Sequence, residues 1–167
     1  MRIVIDMQGA QTENRFLAIG LNALSFAQAI IRNRGDHEIL LALNGLFPET
    51  IELIRTAFDG ILPQENVRVW RVLGPLAEAH ADNDARRNIA ELAREAFLAS
   101  LRPNIIHISS LFEGYLDNAI TSIGRFDTTT LVSIMLHEPI SRFGPERHLL
   151  SDPSYAAYCQ RKSDYLK

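Results

Sequence analysis

Apolar positions along the chain fall into short runs and helical stripes that take turns. Residues 2–7 (RIVIDM) read as a strand at the very start, with Asp6 near its C-terminal end. Residues 8–18 are polar and include Gly9, a stretch longer than the roughly 2–6 residues usual between a strand and a helix. Long loops on compact folds tend to carry function. From Ile19 the period becomes helical, with Leu24, Ala27 and Ile31 on one face and Gly35 as a stop. Residues 38–43 (EILLAL) form a second, buried strand, and Pro48 opens a helix carrying Ile51, Ile54 and Phe58 that Gly60 ends. Residues 67–72 (VRVWRV) alternate as a third, partly exposed strand before Gly74-Pro75 breaks the chain.

Asp82 or Asn83 is placed to cap a helix whose stripe reads Ile89, Leu92, Ala93, Ala96 and Phe97, ending near Pro103. Residues 104–109 (NIIHIS) form a fourth strand, 111–124 a loop with a weak helix, and 128–136 (TTTLVSIML) a fifth strand. Pro153 opens a last helix with Tyr155, Tyr158, Cys159, Tyr165 and Leu166, an aromatic stripe of the kind that packs a core or an interface. Strands alternating with helices make βαβ units and a parallel sheet covered on both faces. Right-handed crossovers then give a Rossmann-like α/β sandwich, one domain over residues 1–167, with at least five strands in the order 3-2-1-4-5. The last helix reaches Lys167 with no Gly, Pro or polar stop, so a longer protein is expected to continue from it.

Composition narrows the class. A net charge of −3 gives no basic excess for a nucleic-acid surface. Cys159 is the only cysteine, which excludes an internal disulfide and a CxxC metal site. The start, MRIVIDMQ, meets Asp6 too early for a signal-peptide core, and no run approaches the roughly 20 apolar residues of a membrane span. A cytosolic domain is expected.

In such a sheet, ligands bind beyond the C-terminal ends of the strands at the topological switch point, here between strands 1 and 4. The loops to inspect are residues 8–20, 109–114 and 137–148. No GxGxxG follows strand 1 and no GxxxxGK[ST] occurs, so neither a conventional dinucleotide fold nor a P-loop is supported. Gly20 sits where the first helix begins, either as a tight entry turn or to let a phosphate reach helix N–H groups. Asp6 has two open roles, ligand contact or a bond to neighbouring backbone. Arg15 is an anion candidate in the long loop. His107 and Ser109 point the same way from strand 4, with Ser110 at its exit. No GxSxG surrounds the serines, which excludes that hydrolase elbow. His137 and Glu138 follow strand 5 on opposite faces, His137 being the better ligand-facing group. His37, His80 and His148 stand at no metal-ligand spacing with these residues.

Three stretches, MRIVIDMQGAQTENRFLAIG, PNIIHISSLFEG and SIMLHEPISRFGPERHL, together resemble the N-terminal domain of GT-B-fold, family 4 glycosyltransferases. The likeness runs along the whole chain and is nearest to bacterial mannosyltransferase-like members that build cell-surface polysaccharide. It implies the acceptor-side half of a retaining, metal-independent enzyme, inactive without a C-terminal domain. The donor is a nucleotide sugar such as GDP-mannose, used as substrate and not as a resident cofactor. The acceptor is a glycan or a lipid-linked glycan, met in the cytoplasm at the inner face of the plasma membrane. By position the resemblance makes His137 and Glu138 catalytic, brings Gly20 near the donor phosphates, and lines the cleft with Ser109, Ser110 and Glu113; the loop candidates Arg15 and Gly9 are assigned to the phosphates and the cleft beside them. Ala18 stands where the family has the first glycine of a Gly-Ile-Gly loop, and Glu138-Pro139 where it has Asp-Leu. A rearranged loop is expected, because Ala tolerates positive φ poorly. Two other readings stay open: a diverged, non-catalytic domain for assembly or regulation, and an unrelated Rossmann-like binder of small molecules.

Overall fold

A computed structural model of the chain describes residues 1–137 and 152–166. Its sheet holds β1 (Arg2–Asp6), β2 (Glu38–Asn44), β3 (Val67–Trp70), β4 (Ile105–Ile108) and β5 (Leu131–Ile134). All pair in parallel, in the order β3-β2-β1-β4-β5 that the sequence predicts. Four helices accompany them: α1 (Ala18–Arg32), α2 (Pro48–Ala57), α3 (Asp84–Ser100) and α4 (Pro153–Asp164). The architecture is the Rossmann-like α/β sandwich. Each inner strand is apolar on both faces because both are covered. On one side Ile5, Met7, Leu41 and Leu43 meet Ala23, Ala27 and Ile31 of α1 and Ile54 of α2, with Phe58 just beyond it. On the other, Val4, Leu40, Ala42, Ile106 and Ile108 meet Leu98 of α3.

β5 is shorter than its apolar run. The Asp127 carboxylate accepts the N–H groups of Thr129 and Thr130 and both hydroxyls, which folds the start of that run into a turn instead of the ladder. Residues 111–124 hold no helix. Ties such as Thr121 Oγ1 to Leu111 O (2.6 Å) order them.

The predicted stripe of α3 is corrected. Ile89 and Leu92 are 68 % and 41 % exposed, while Ala90, Glu91, Arg94, Glu95 and Leu98 are buried. The reason lies in what α3 packs against. Besides the sheet it meets the loop of residues 111–126, whose backbone groups are not paired within a helix and need other partners. Arg94 donates through Nε to Asp6 Oδ2 (2.9 Å), also pairs with it through the guanidinium tip, and donates to Ser122 O (3.0 Å). Glu95 accepts from Ser122 Oγ (2.6 Å) and from the N–H groups of Arg125 and Phe126 (2.7 Å each). Glu91 pairs with Arg125 and Arg161. Asn83 is the N-cap residue, yet its side-chain amide donates to Ala77 O (2.9 Å) and not to α3.

The last helix, α4, is capped by Asp152, which accepts from Ser154 N. Tyr155 and Tyr158 are buried against Tyr115, as an aromatic stripe predicts, whereas Leu166 at the far end is exposed. Lys162 is buried too, donating to Thr121 Oγ1, and Arg161 pairs with Glu78. No helix among the described residues is long and apolar enough to cross a membrane.

Candidate functional site

Two of the three predicted loops meet beyond the C-terminal ends of β1 and β4. The loop after β1 is not open coil. It makes two 3-10 turns, Gln8–Ala10 and Glu13–Phe16, and Gln8 to Thr12 are all buried. Two glutamines make this possible. Gln8 accepts from Asn44 Nδ2 (3.0 Å) and Ile120 N (2.9 Å) and donates to Asp6 (3.0 Å). Gln11 accepts from Asn44 N (2.7 Å) and donates to Thr50 Oγ1 (2.9 Å). Their amides replace the ladder partners that the loop backbone and β2 lack at this point.

Gly9 lies against the β4 exit. A Cβ there would stand 2.9 Å from Ser110 Cβ and 3.1 Å from Ser109 Oγ, so the two loops touch only because position 9 has no side chain. Gly20 is a similar case. It lies in the first turn of α1, and a Cβ would overlap Arg15 Cα and come within 2.7 Å of Asn14 O. The space over Gly20 is thus filled by the chain's own turn. Ala18 needs no positive φ, since α1 starts there; Arg102 is the one non-glycine residue with positive φ among those described. The expected strain at Ala18 is absent.

Arg15 is engaged within the chain. It donates to Gln11 O (3.2 Å) and Thr12 O (3.3 Å), its guanidinium lies 4.4 Å from the Phe16 ring centroid, and Glu13 and Glu49 are 3.8 and 3.9 Å away. Asp6, left with two roles by the sequence, points into the protein as the partner of Arg94 and Gln8.

Glu113 is the centre of the cleft floor. Asn14 Nδ2 donates to both of its carboxylate oxygens (3.1 and 3.0 Å), Ser110 and Thr12 hydrogen-bond the same carboxyl, and Tyr158 Oη donates to its main-chain oxygen (3.0 Å). Burial, followed by the repulsion of Asp117, pushes this carboxyl up to about 7. A cleft of about 60 Å³ lies above it, lined by Asn14, Phe112, Tyr115, Asp117 and Tyr155. Nothing in the residue pattern marks Asn14 as Glu113's partner; a polar residue in an overlong loop was the one signal.

On the α1 side of β4, His107 Nδ1 lies 3.1 Å from Ser133 Oγ, and the ring packs on Phe26. Burial pulls its pKa down, against the pull of Asp6, which keeps the imidazole neutral. Among the described residues, the buried His107 Nε2, Ser109 Oγ and His137 Nε2 have no partner. Beyond β5 the pairing continues with Met135 N to Ile108 O (2.9 Å). Alternation from there puts His137 on the face of His107 and Ser109. Glu138 and the rest of the third loop lie outside the described residues. No group of three or more His, Cys, Asp or Glu among the described residues is arranged to hold a metal.

An open parallel sheet of this order, covered by helices, is a Rossmann-like domain, and its buried polar loops lie at the C-terminal edge where such sheets bind ligands. Its sequence relatives agree with the family likeness. Over 163 residues, 97 % of its length, the chain is 30 % identical to the serotype-specific mannosyltransferase WbdA of Escherichia coli. Two further Escherichia coli WbdA sequences align at 28 % and 29 % over 137 residues, 81 % of the chain. The chain is therefore related to bacterial mannosyltransferases, and it spans only 17–19 % of the length of these relatives. No protein-family model and no solved structure matches it.

Proposed function

We propose that the chain is the acceptor-side domain of a retaining, nucleotide-sugar-dependent glycosyltransferase that moves a mannosyl or similar hexosyl unit in cell-surface polysaccharide synthesis. The carrying observation is the gathering of residues 8–20, the β4 exit and His137 at one sheet edge, in a chain that aligns almost end to end with mannosyltransferases. A sugar presents a ring of hydroxyl groups, each both donor and acceptor. His137 Nε2 and Ser109 Oγ are polar atoms without partners among the described residues and suit that chemistry. In this reading His137 contacts the transferred sugar and Glu138 is the second catalytic group. The β4 exit with Gly9, Ser109, Ser110 and Glu113 shapes the acceptor side. The turn carrying Arg15 and the start of α1 at Gly20 face the donor phosphates.

The donor is GDP-mannose, bound mainly by a C-terminal domain of the longer protein, and no metal takes part. The acceptor is a glycan or lipid-linked glycan reached from the cytoplasm at the inner membrane face. The domain's contribution is alignment and stabilisation of charge on the departing diphosphate. Mannosyl transfer from labelled GDP-mannose by the full-length protein tests this. Loss of one aligned hydrogen-bonding group costs about 100- to 1,000-fold in kcat, and His137→Ala is expected to show a loss of that order. Unchanged transfer would instead favour a non-catalytic domain, a reading motivated by Ala18 and by the intrachain partners of Arg15.

A further inference from the structure

Two of the buried carboxylates described above face a cation, Asp6 with Arg94 and Glu91 with Arg125 and Arg161, and Glu95 is held by Ser122 Oγ and two backbone N–H groups. Glu113 differs from the first two. Its carboxyl is held by neutral groups from different segments: Asn14 on the Glu13–Phe16 turn, Thr12 just before it, and Ser110 at the β4 exit. Tyr158 of α4 binds its main-chain oxygen. The charged and titratable groups around it are Asp117 on its own loop, Glu13 and Arg15 on either side of Asn14, Tyr115 and Tyr155 on the wall of the cleft, and Tyr158 at its main-chain oxygen. Of these, Arg15 spends its guanidinium on Gln11 O, Thr12 O and the Phe16 ring.

Hydrogen-bond geometry makes the ionisation state decisive. The Asn14 amide nitrogen only donates, and it donates to both oxygens. An ionised carboxyl accepts at both. On protonation one oxygen carries a proton and becomes a much poorer acceptor, so one arm of the fork weakens.

We propose that Glu113 is a positioning residue of the cleft: ionised, it clamps the Glu13–Phe16 turn to the β4 exit through Asn14, and on protonation the clamp opens. The proton thereby controls how Arg15 and the packed start of α1 are presented to a ligand. Burial and Asp117, by pushing the carboxyl up to about 7, set this change in the neutral range. The clamp is internal to the chain; only the identity of the ligand rests on the proposed function.

The test follows backbone amide and carboxyl resonances of the labelled chain, without ligand, from about pH 5.5 to about pH 8.5. Glu113 Cδ and the amides of residues 13–16 are expected to titrate together around 7. Glu113→Gln removes the titration of the turn. Asn14→Ala leaves Glu113 titrating but uncouples the turn from it. A Glu113 midpoint below about 5.5, or turn amides that stay still while Glu113 titrates, overturns the proposal. Affinity of the full-length protein for GDP-mannose adds a functional reading. If only the ionised form is competent, the competent fraction rises from about 9 % at pH 6 to about 91 % at pH 8, a gain of about tenfold in affinity. That gain is lost in Glu113→Gln; its persistence there overturns the clamp. Failure to bind GDP-mannose at either pH counts against the proposed function and leaves the clamp to be decided by the resonances.

Discussion

Replacing Arg94 by Met is the sharpest test of how this domain is held together. Arg94 and Asp6 are each 1 % exposed at the side chain, so neither charge has water to fall back on. Arg94 gives Asp6 a bond of 2.9 Å and a second, shorter one, and gives Ser122 O a bond of 3.0 Å. Methionine fills most of the stem but offers no donor. Asp6 then keeps only the N–H and amide of Gln8. Breaking a buried pair from one side costs about 3–5 kcal/mol, because the remaining charge is stranded. The orphaned Ser122 carbonyl adds about 1–3 kcal/mol. Against a total stability of about 5–15 kcal/mol, Arg94→Met should leave the chain partly unfolded at room temperature. Urea melts measure the loss. The double variant Asp6→Asn/Arg94→Met removes the stranded charge while keeping an acceptor for Gln8, and should recover at least half of it. A single-variant loss under about 1 kcal/mol, the range of exposed ion pairs, would refute the argument.

Lys162 gives a prediction with a pH signature. Burial, with Arg161 second, pulls its amine from 10.5 down to about 7, so between these values the folded state binds fewer protons than the unfolded one. Stability therefore rises as pH rises across that window, by about 5 kcal/mol at most over the full shift. Lys162→Met should flatten the rise and exceed wild type most at or below pH 7, read from thermal melts between about pH 6.5 and about pH 9. Equal slopes in both proteins would contradict it. The orientation of α3 is checked by two truncations measured by urea melts: Ile89→Ala should change stability by under about 0.5 kcal/mol, and Leu98→Ala should cost about 2–5 kcal/mol.

The order of the sheet was legible because its signal is local and repeated. Each strand is a short apolar run, each break carries Gly, Pro or Asn, and crossover handedness leaves few arrangements. α3 was misread for the opposite reason. Hydrophobic periodicity assumes that a helix turns its apolar face inward, and α3 instead turns Glu91, Arg94 and Glu95 inward. Their partners, Asp6, Ser122, Arg125 and Arg161, are scattered along the chain, and no window of sequence contains them together. The site was legible to the level of loops. Strand order pointed to residues 8–20 and 109–114, and alternation aligned His107 with Ser109. The fork from Asn14 to Glu113, 99 residues apart, depends on the packing of two irregular segments, which no periodicity encodes.

The buried ionic network also bears on how fast the chain folds and unfolds. Asp6 and Arg94 are 88 residues apart, Glu78 and Arg161 are 83, and Glu91 and Arg161 are 70. Closing loops of that length is entropically costly, and parallel sheets are slow to assemble for the same reason. Charged side chains, moreover, stay hydrated until their partners are fixed. We expect these contacts to form after the rate-limiting step, which φ-values at Arg94 and Arg161 near zero would show. They act on the other side of the barrier, where each must be broken before the chain can open. On that expectation the network governs the lifetime of the folded state rather than the speed of reaching it.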